Sequence, residues 1–340
     1  MSAARPPRRQ WYRRLPVAPP PLPRAQPAPD RDAALARLAE LTALDADVPE
    51  ATRSRLIEPD GPALATVVVW HGFTNAPSQF AAVADELAAA GYRVLLPRLP
   101  HHGLADRLTR ELGRLREAEL IEHADTCIDI AAGFGDPVWL VGLSAGGTLA
   151  AWTAATRPEV SRVVLMAPLV APKGFPMPMV RLCVRFPRAV PSFYMWWDPR
   201  TKAELGHSPY AYPGFPVPGV IPFLHLSEVL SDGSVPADHR LERAVVVTNP
   251  KDLAVRQDAA LAFAERVFAH VSDHYGVAHI DGGLGWDHDF VDPWSPGSGS
   301  TDQVTAVLTA ALGVGEPAAG GVLIPPLVGE QPSRDDAGTA

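Results

Sequence analysis

The apolar positions along this chain fall into short, nearly continuous runs that alternate with longer stretches of helical period. Ala65 to Trp70 is apolar and β-branched almost throughout, with only Thr66 polar, the pattern of a strand buried on both faces. Pro77 to Ala90 follows with a helical repeat and stops at Gly91. The same alternation continues through a strand at Tyr92 to Leu96, one or two helices within Ala105 to Ala132, and a strand at Asp136 to Val141. An alanine-rich helix at Gly147 to Thr156 and a strand at Val160 to Met166 complete this half. Further on come a strand at Ala244 to Thr248, a helix at Arg256 to Val271, a strand at Gly276 to Ile280 and a helix at Asp302 to Leu312. Upstream, Asp30 is placed to cap a helix over Asp32 to Leu44, and Thr52 to Ile57 reads as a strand before the turn Pro59-Asp60-Gly61-Pro62. Strands and helices in this order predict an α/β fold, a mostly parallel sheet covered by helices on both faces.

The alternation breaks between residues 171 and 238. That stretch is dense in proline and in aromatic side chains such as Phe186, Tyr194, Trp196, Trp197 and Phe215, which marks it as an insertion between two parts of one core, 31–170 and 239–313. Residues 1–30, rich in Pro and Arg, and residues 314–340, rich in Gly, Pro and Ala, are expected to be disordered tails. Arg8, Arg9, Arg13 and Arg14 with Trp11 admit a second reading, contact with an anionic membrane surface.

Composition narrows the function. A net charge of -8 argues against a general nucleic-acid binder, which needs clustered positive charge to displace counterions from phosphates. No apolar run is long enough to span a bilayer, and the basic start lacks the apolar core of a secretory signal. Cys127 and Cys183 have no metal-ligand spacing, so a reducing cytoplasm is the expected compartment. Neither a cofactor nor a metal is expected, and oligomeric state is not legible.

Chemistry enters at Gly142-Leu143-Ser144-Ala145-Gly146, which lies between a predicted strand and a predicted helix. A serine at such a turn is held in strained backbone with small neighbours, its hydroxyl exposed above the sheet edge and the helix's positive end beneath it. A hydroxyl is a weak nucleophile, so a base and an orienting acid are required at the same edge. Asp252 follows the strand at Ala244 to Thr248, and His288 follows the strand at Gly276 to Ile280. Functional groups of an open parallel sheet gather at these carboxyl ends. Asp258, Asp287 and Asp289 are weaker rivals for the acid, and His279, His101 and His102 for the base; a metal site from Asp287, His288, Asp289 and His102 lacks specific spacing. Two backbone donors for an oxyanion are available at Ala145, next to the nucleophile, and at Phe73 in His71-Gly72-Phe73-Thr74.

Taken together, His71-Gly72-Phe73-Thr74, Gly142 to Gly147, Asp252 and His288 resemble the α/β-hydrolase superfamily, nearest to bacterial carboxylesterases and monoacylglycerol lipases, over about residues 63 to 312. Leu99-Pro100-His101-His102-Gly103 is similar to that family's Gly-His-Gly loop, with His101 where the first glycine would stand. The resemblance implies an α/β-hydrolase fold, a helical cap over 171–238, and a serine esterase with the triad Ser144, Asp252 and His288. Its Phe73 and Ala145 N–H groups would form the oxyanion hole, and His102, Trp196 and Trp197 would line the pocket for a small-molecule ester with an apolar acyl group. The glycine-rich approach to His288 and the proline-rich cap depart from the family pattern. A peptidase, amidase or thioesterase on the same triad, an acyltransferase, and a non-enzymatic ligand-binding protein are the alternative readings.

Overall fold

A computed structural model describes residues 17–22, 24–200, 208–233, 241–313 and 322–323. Its centre is an eight-stranded sheet. The strands are β1 (Arg55–Ile57), β2 (Thr66–Trp70), β3 (Arg93–Leu96), β4 (Val138–Leu143), β5 (Val160–Met166), β8 (Leu241–Thr248), β9 (Ser272–Ile280) and β10 (Val322–Leu323). Their spatial order is β1-β3-β2-β4-β5-β8-β9-β10, parallel throughout except for β1 and β10, which close the two edges antiparallel. The central strands β2 and β4 are buried at every position, which accounts for their unbroken apolar runs.

Register explains where the chemistry collects. Trp70 pairs with Gly142, Leu143 with Met166, Met166 with Val247, and Thr248 with His279, so the carboxyl ends of these strands share one edge. The loops that leave β2, β4, β8 and β9 therefore converge.

The helices are α1 (Arg31–Ala43), α2 (Ala81–Ala89), α3 (Glu117–Ala132), α4 (Ala145–Thr156), α6 (Ile221–Asp232), α7 (Gln257–Phe268) and α8 (Thr301–Leu312). Residues Ala145 to Ala155 of α4 are all buried, since this helix is packed against β2, β4 and β5 on one side and α3 and α6 on the other. Alanine and glycine permit that close approach on all sides. The described elements follow the predicted ones with ends displaced by a few residues; the predicted helix at Pro77 to Ala90 begins as a 3₁₀ turn over Pro77–Phe80, and the strand expected from Thr52 starts at Arg55 because Glu50–Thr52 is a 3₁₀ turn.

Three expectations are corrected. Within the segment taken as a disordered tail, residues 24–30 are fastened to α3, where Arg24 and Gln26 N–H donate to the Asp125 and Asp129 carboxylates and Ala28 N–H donates to Asp129 O. The same two carboxylates hold the Arg157 guanidinium, 1% exposed, so this corner is an ionic anchor buried beneath the amino-terminal strap. Residues 1–16 of that expected tail lie outside the described residues. At the other end, residues 314–321 and 324–340 lie outside them too, while Val322 and Leu323 pair with Ile280 and His279.

The third correction concerns the stretch 171–238. It holds a short helix α5 (Met177–Arg185) and a two-stranded antiparallel ribbon, β6 (Tyr194–Trp196) with β7 (Gly214–Pro216), rather than helices alone. Its last helix, α6, belongs with the helices that cover the sheet, packing on α3, α4 and α7 with Phe223, Leu226 and Val229 fully buried.

Candidate active site

Ser144 occupies the turn between β4 and α4 with φ 55° and ψ -115°. Positive φ is costly for a residue with a side chain, and here the surroundings impose it. Its N–H donates to Met166 O at 2.8 Å, and its carbonyl accepts from Leu169 N–H and Thr148 N–H, each at 3.0 Å. The bend brings backbone so close that a Cβ on Gly142 would lie 2.2 Å from Gly146 O, and one on Gly146 would lie 2.3 Å from Trp70 O. Both glycines are required by contact with neighbouring backbone.

Asp252 lies in the loop after β8, 1% exposed, and its Oδ2 accepts from His288 Nδ1 at 2.6 Å. The aspartate is itself held from the other side. Oδ1 accepts from Ala254 N–H at 2.7 Å and Val255 N–H at 3.0 Å, and Oδ2 also accepts from Gln257 Nε2 at 2.9 Å. Burial alone would raise its pKa, but the adjacent His288 and the Val255 and Ala254 N–H groups outweigh burial and hold it below the usual carboxylate range. For His288 burial acts to lower the pKa, and Asp252, followed by Asp289 and Asp287, reverses this and raises it above the ordinary imidazole value. The ring is thus oriented and made more basic by the same neighbour. Among the described residues no hydrogen bond joins Ser144 Oγ to His288 Nε2, a contact that commonly tightens only around substrate.

The rivals are otherwise engaged. Asp258 is exposed and ion-paired with Arg256; the Asp287 carboxylate accepts from Ser295 Oγ and Asp289 N–H; His279 Nδ1 meets Thr248 Oγ1 at 2.6 Å. His101 has φ 65°, which is why a glycine would suit that position, and its ring lies against Glu111 and Glu119. Among the described residues no group of His, Cys, Asp and Glu is arranged to hold a metal ion.

After β2 the chain turns through His71 and Gly72 to Phe73. Gly72 N–H donates to Gln79 Oε1 at 2.7 Å, while Gly72 O meets His71 Nδ1 at 2.9 Å and accepts Asn75 N–H at 3.1 Å. His71 Nε2 accepts Leu99 N–H at 3.1 Å, which fixes the neutral ring with its proton on Nδ1, and burial pushes its pKa down to about 3. Neither Phe73 N–H nor Ala145 N–H donates to any group among the described residues, which leaves both free for a ligand oxygen.

His102 is fully buried, with its ring edge-on to those of His71 and Phe73 and its Nδ1 on Pro100 O at 2.8 Å. Trp197 donates its indole N–H to Thr74 Oγ1 at 2.8 Å and packs on Phe215, which meets Phe73 at 4.9 Å between ring centroids. Thr74, with φ 67°, is also held through its carbonyl by Tyr212 N–H. Trp196 packs its ring on Tyr194 of its own strand. The ribbon β6–β7 and the residue that follows β6 are therefore tied to the Phe73 loop, by Phe215 on Phe73 and by Trp197 on Thr74.

Several buried amides were not singled out from the sequence. Gln79 bridges Gly72 and Asp289, Asn75 donates to Asp292, and Asn249 donates to the carbonyls of Trp286 and Asp287. The last pair of bonds pins the glycine-rich approach to His288 onto the loop that carries Asp252. The available signal was the density of Asp and amide residues in the loops beside the candidate site.

The family model for the alpha/beta hydrolase fold matches residues 65–199. A metagenome-derived lipolytic enzyme from the LipS and LipT pair superposes with a TM-score of 0.57 at 19% identity, over 77% of this chain and 98% of that one. The chain has the α/β-hydrolase fold. In sequence it resembles the thermostable monoacylglycerol lipase of Bacillus sp. (strain H-257), at 31% identity over 29% of this chain and 38% of the relative. Phospholipase YtpA of Bacillus subtilis (strain 168) is 32% identical over 31% of this chain and 40% of its own length. The matches thus span well under half of either curated relative. No helix of this α/β-hydrolase fold, among the described residues, is long and apolar enough to cross a membrane.

Proposed function

We propose that the protein is a serine hydrolase that cleaves carboxylic esters of apolar acyl groups through an acyl-enzyme on Ser144. The observation that carries this reading is the His288–Asp252 hydrogen bond at 2.6 Å, formed in the loops that leave the sheet edge where Ser144 sits in its strained turn.

In this mechanism His288 Nε2 takes the Ser144 proton as Oγ attacks the ester carbonyl, and Asp252 stabilises the imidazolium that results. The N–H groups of Phe73 and Ala145 hold the oxyanion of the tetrahedral intermediate. Collapse breaks the bond to the alcohol, which leaves with the proton from His288. Water then enters, loses its proton to the same ring and releases the acid, regenerating Ser144.

Aromatic packing supports the apolar acyl class. Phe73, Phe215 and Trp197 pack ring against ring beside the Phe73 N–H, with Trp197 half exposed, an aromatic group apt for an acyl chain. Ester-cleaving names among the similar proteins, a monoacylglycerol lipase and a phospholipase, support lipid-like esters. The free thiols of Cys127 and Cys183 fit a reducing compartment such as the cytoplasm.

Treatment with a fluorophosphonate followed by peptide mapping tests the proposal. An adduct on Ser144, together with turnover of a p-nitrophenyl ester series, is expected. A folded protein without the adduct would overturn it.

A further inference from the structure

Gln79 connects the loop after β2 with the loop after β9. Its Oε1 accepts Gly72 N–H at 2.7 Å and its Nε2 donates to Asp289 Oδ1 at 3.0 Å. The residue is 1% exposed, so water does not compete for either bond. An amide has one accepting end and one donating end, and Gly72 N–H can only donate, so the orientation of Gln79 is fixed.

The consequence falls on Phe73. Gly72 C=O and Phe73 N–H belong to one planar peptide unit. Gly72 is held at its N–H by Gln79 and at its C=O by Asn75 N–H and His71 Nδ1, so the direction of Phe73 N–H is set. At its far end Gln79 holds the side chain of Asp289, the residue next to His288.

We propose that Gln79 is a positioning residue for the ester hydrolysis, holding the Phe73 N–H and the His288 segment in register across the site. This rests on the serine-hydrolase reading above. A second strap, Asn75 Nδ2 to Asp292 Oδ2 at 3.0 Å, joins the same two loops independently, so they stay together when Gln79 is changed.

The test compares wild type, Gln79→Met and Gln79→Glu with p-nitrophenyl butyrate, alongside fluorophosphonate labelling and thermal melts. Gln79→Met fills the space without either hydrogen bond and is expected to lower kcat by about 10- to 100-fold, with KM within about threefold, the signature of a misdirected oxyanion donor. Gln79→Glu keeps an acceptor for Gly72 N–H but turns a second carboxyl oxygen on Asp289, in a neighbourhood that also holds His288, Asp252, Asp287 and Asp292. Two facing carboxyls repel when both are ionised and share a proton once pH falls below the raised pKa of the pair. The activity of Gln79→Glu relative to wild type is therefore expected to rise about tenfold between about pH 8 and pH 5, while the Gln79→Met ratio stays flat.

A folded Gln79→Met with kcat within about twofold of wild type overturns the proposal. If Gln79→Met fails to fold, a Gln79→Glu ratio that is flat with pH overturns it. A wild type that takes no fluorophosphonate counts against the hydrolase reading itself, whereas a labelled, active wild type with an unaffected Gln79→Met counts against Gln79 alone.

Discussion

His288 and Asp252 are joined by a 2.6 Å hydrogen bond across the ends of neighbouring strands, and every other acceptor site on Asp252 is filled by Ala254, Val255 and Gln257. The aspartate therefore has a single variable partner, and its effect should be read through the histidine. Asp252→Asn is expected to lower kcat on a p-nitrophenyl ester by about 10⁴-fold, because an amide favours the wrong ring tautomer. His288→Ala should cost up to about 10⁶-fold. Steady-state kinetics on folded variants checks both.

The pH profile gives a separate check. His288 must be neutral to accept the serine proton, and its pKa is raised, chiefly because Asp252 outweighs the effect of burial. The acidic limb of kcat/KM should lie above the ordinary imidazole value of about 6.5. In Asp252→Asn the residual activity should have its limb moved to lower pH, since the neighbouring negative charge is gone. A limb that stays in place would assign the titration to another group.

Gly146 carries the next prediction. A Cβ there would sit 2.3 Å from Trp70 O and 2.5 Å from His71 O, so Gly146→Ala must push α4 away from the end of β2. A destabilisation of about 3 kcal/mol or more is expected, with loss of activity from the displaced Phe73 loop. Gly135, at φ 80° with nothing near its Cβ position, is the comparison: Gly135→Ala should cost only about 1 kcal/mol, from backbone conformation alone. Urea denaturation of the two variants separates contact from conformation.

How much of this could be read from the chain follows from the range of each signal. Ser144, Asp252 and His288 stand beside strands whose apolar runs are local and strong, so their common sheet edge was legible without knowing a single tertiary contact. The Gln79–Asp289 bond joins residues 210 positions apart, and no local pattern marks either partner. Helix α6 was hidden for another reason. Pro216, Pro218 and Pro222 lead into it and read as loop, yet proline is well tolerated in a helix's first turn. The strap at residues 24–30 has little apolar content, and what holds it is backbone N–H donated to Asp125 and Asp129 on another helix.

Trp197 offers a test of the acyl wall. Its indole N–H is bonded to Thr74 and its ring rests on Phe215, although half of the residue remains exposed. Trp197→Ala should raise KM for long acyl chains severalfold more than for acetyl, with the smaller effect on kcat. Trp197→Phe keeps the aromatic face but leaves Thr74 Oγ1 without its donor, at a cost of about 1 kcal/mol in stability. A panel of p-nitrophenyl esters of increasing chain length distinguishes these effects; equal changes at every length would remove Trp197 from the pocket.

Asp289 links the site to stability. Burial, opposed by His288 and reinforced by Asp292, Asp287 and Asp252, pushes its pKa up to about 6 from 3.8. For an acid whose folded pKa is raised, the protonated form favours folding, and that contribution is complete below about pH 3.8 and lost as pH rises through about 6. Above that window the folded protein carries a partly buried carboxylate among other acids, at a cost on the order of 2 kcal/mol. Asp289→Asn should therefore be more stable than wild type at about pH 8 and nearly equal to it at about pH 4, as urea midpoints would report. The same change removes a negative neighbour of His288, so its acidic limb should move to lower pH. A gain in stability without that shift would mean that the Asp289 charge is not felt at His288 and that Asp252 alone sets the limb.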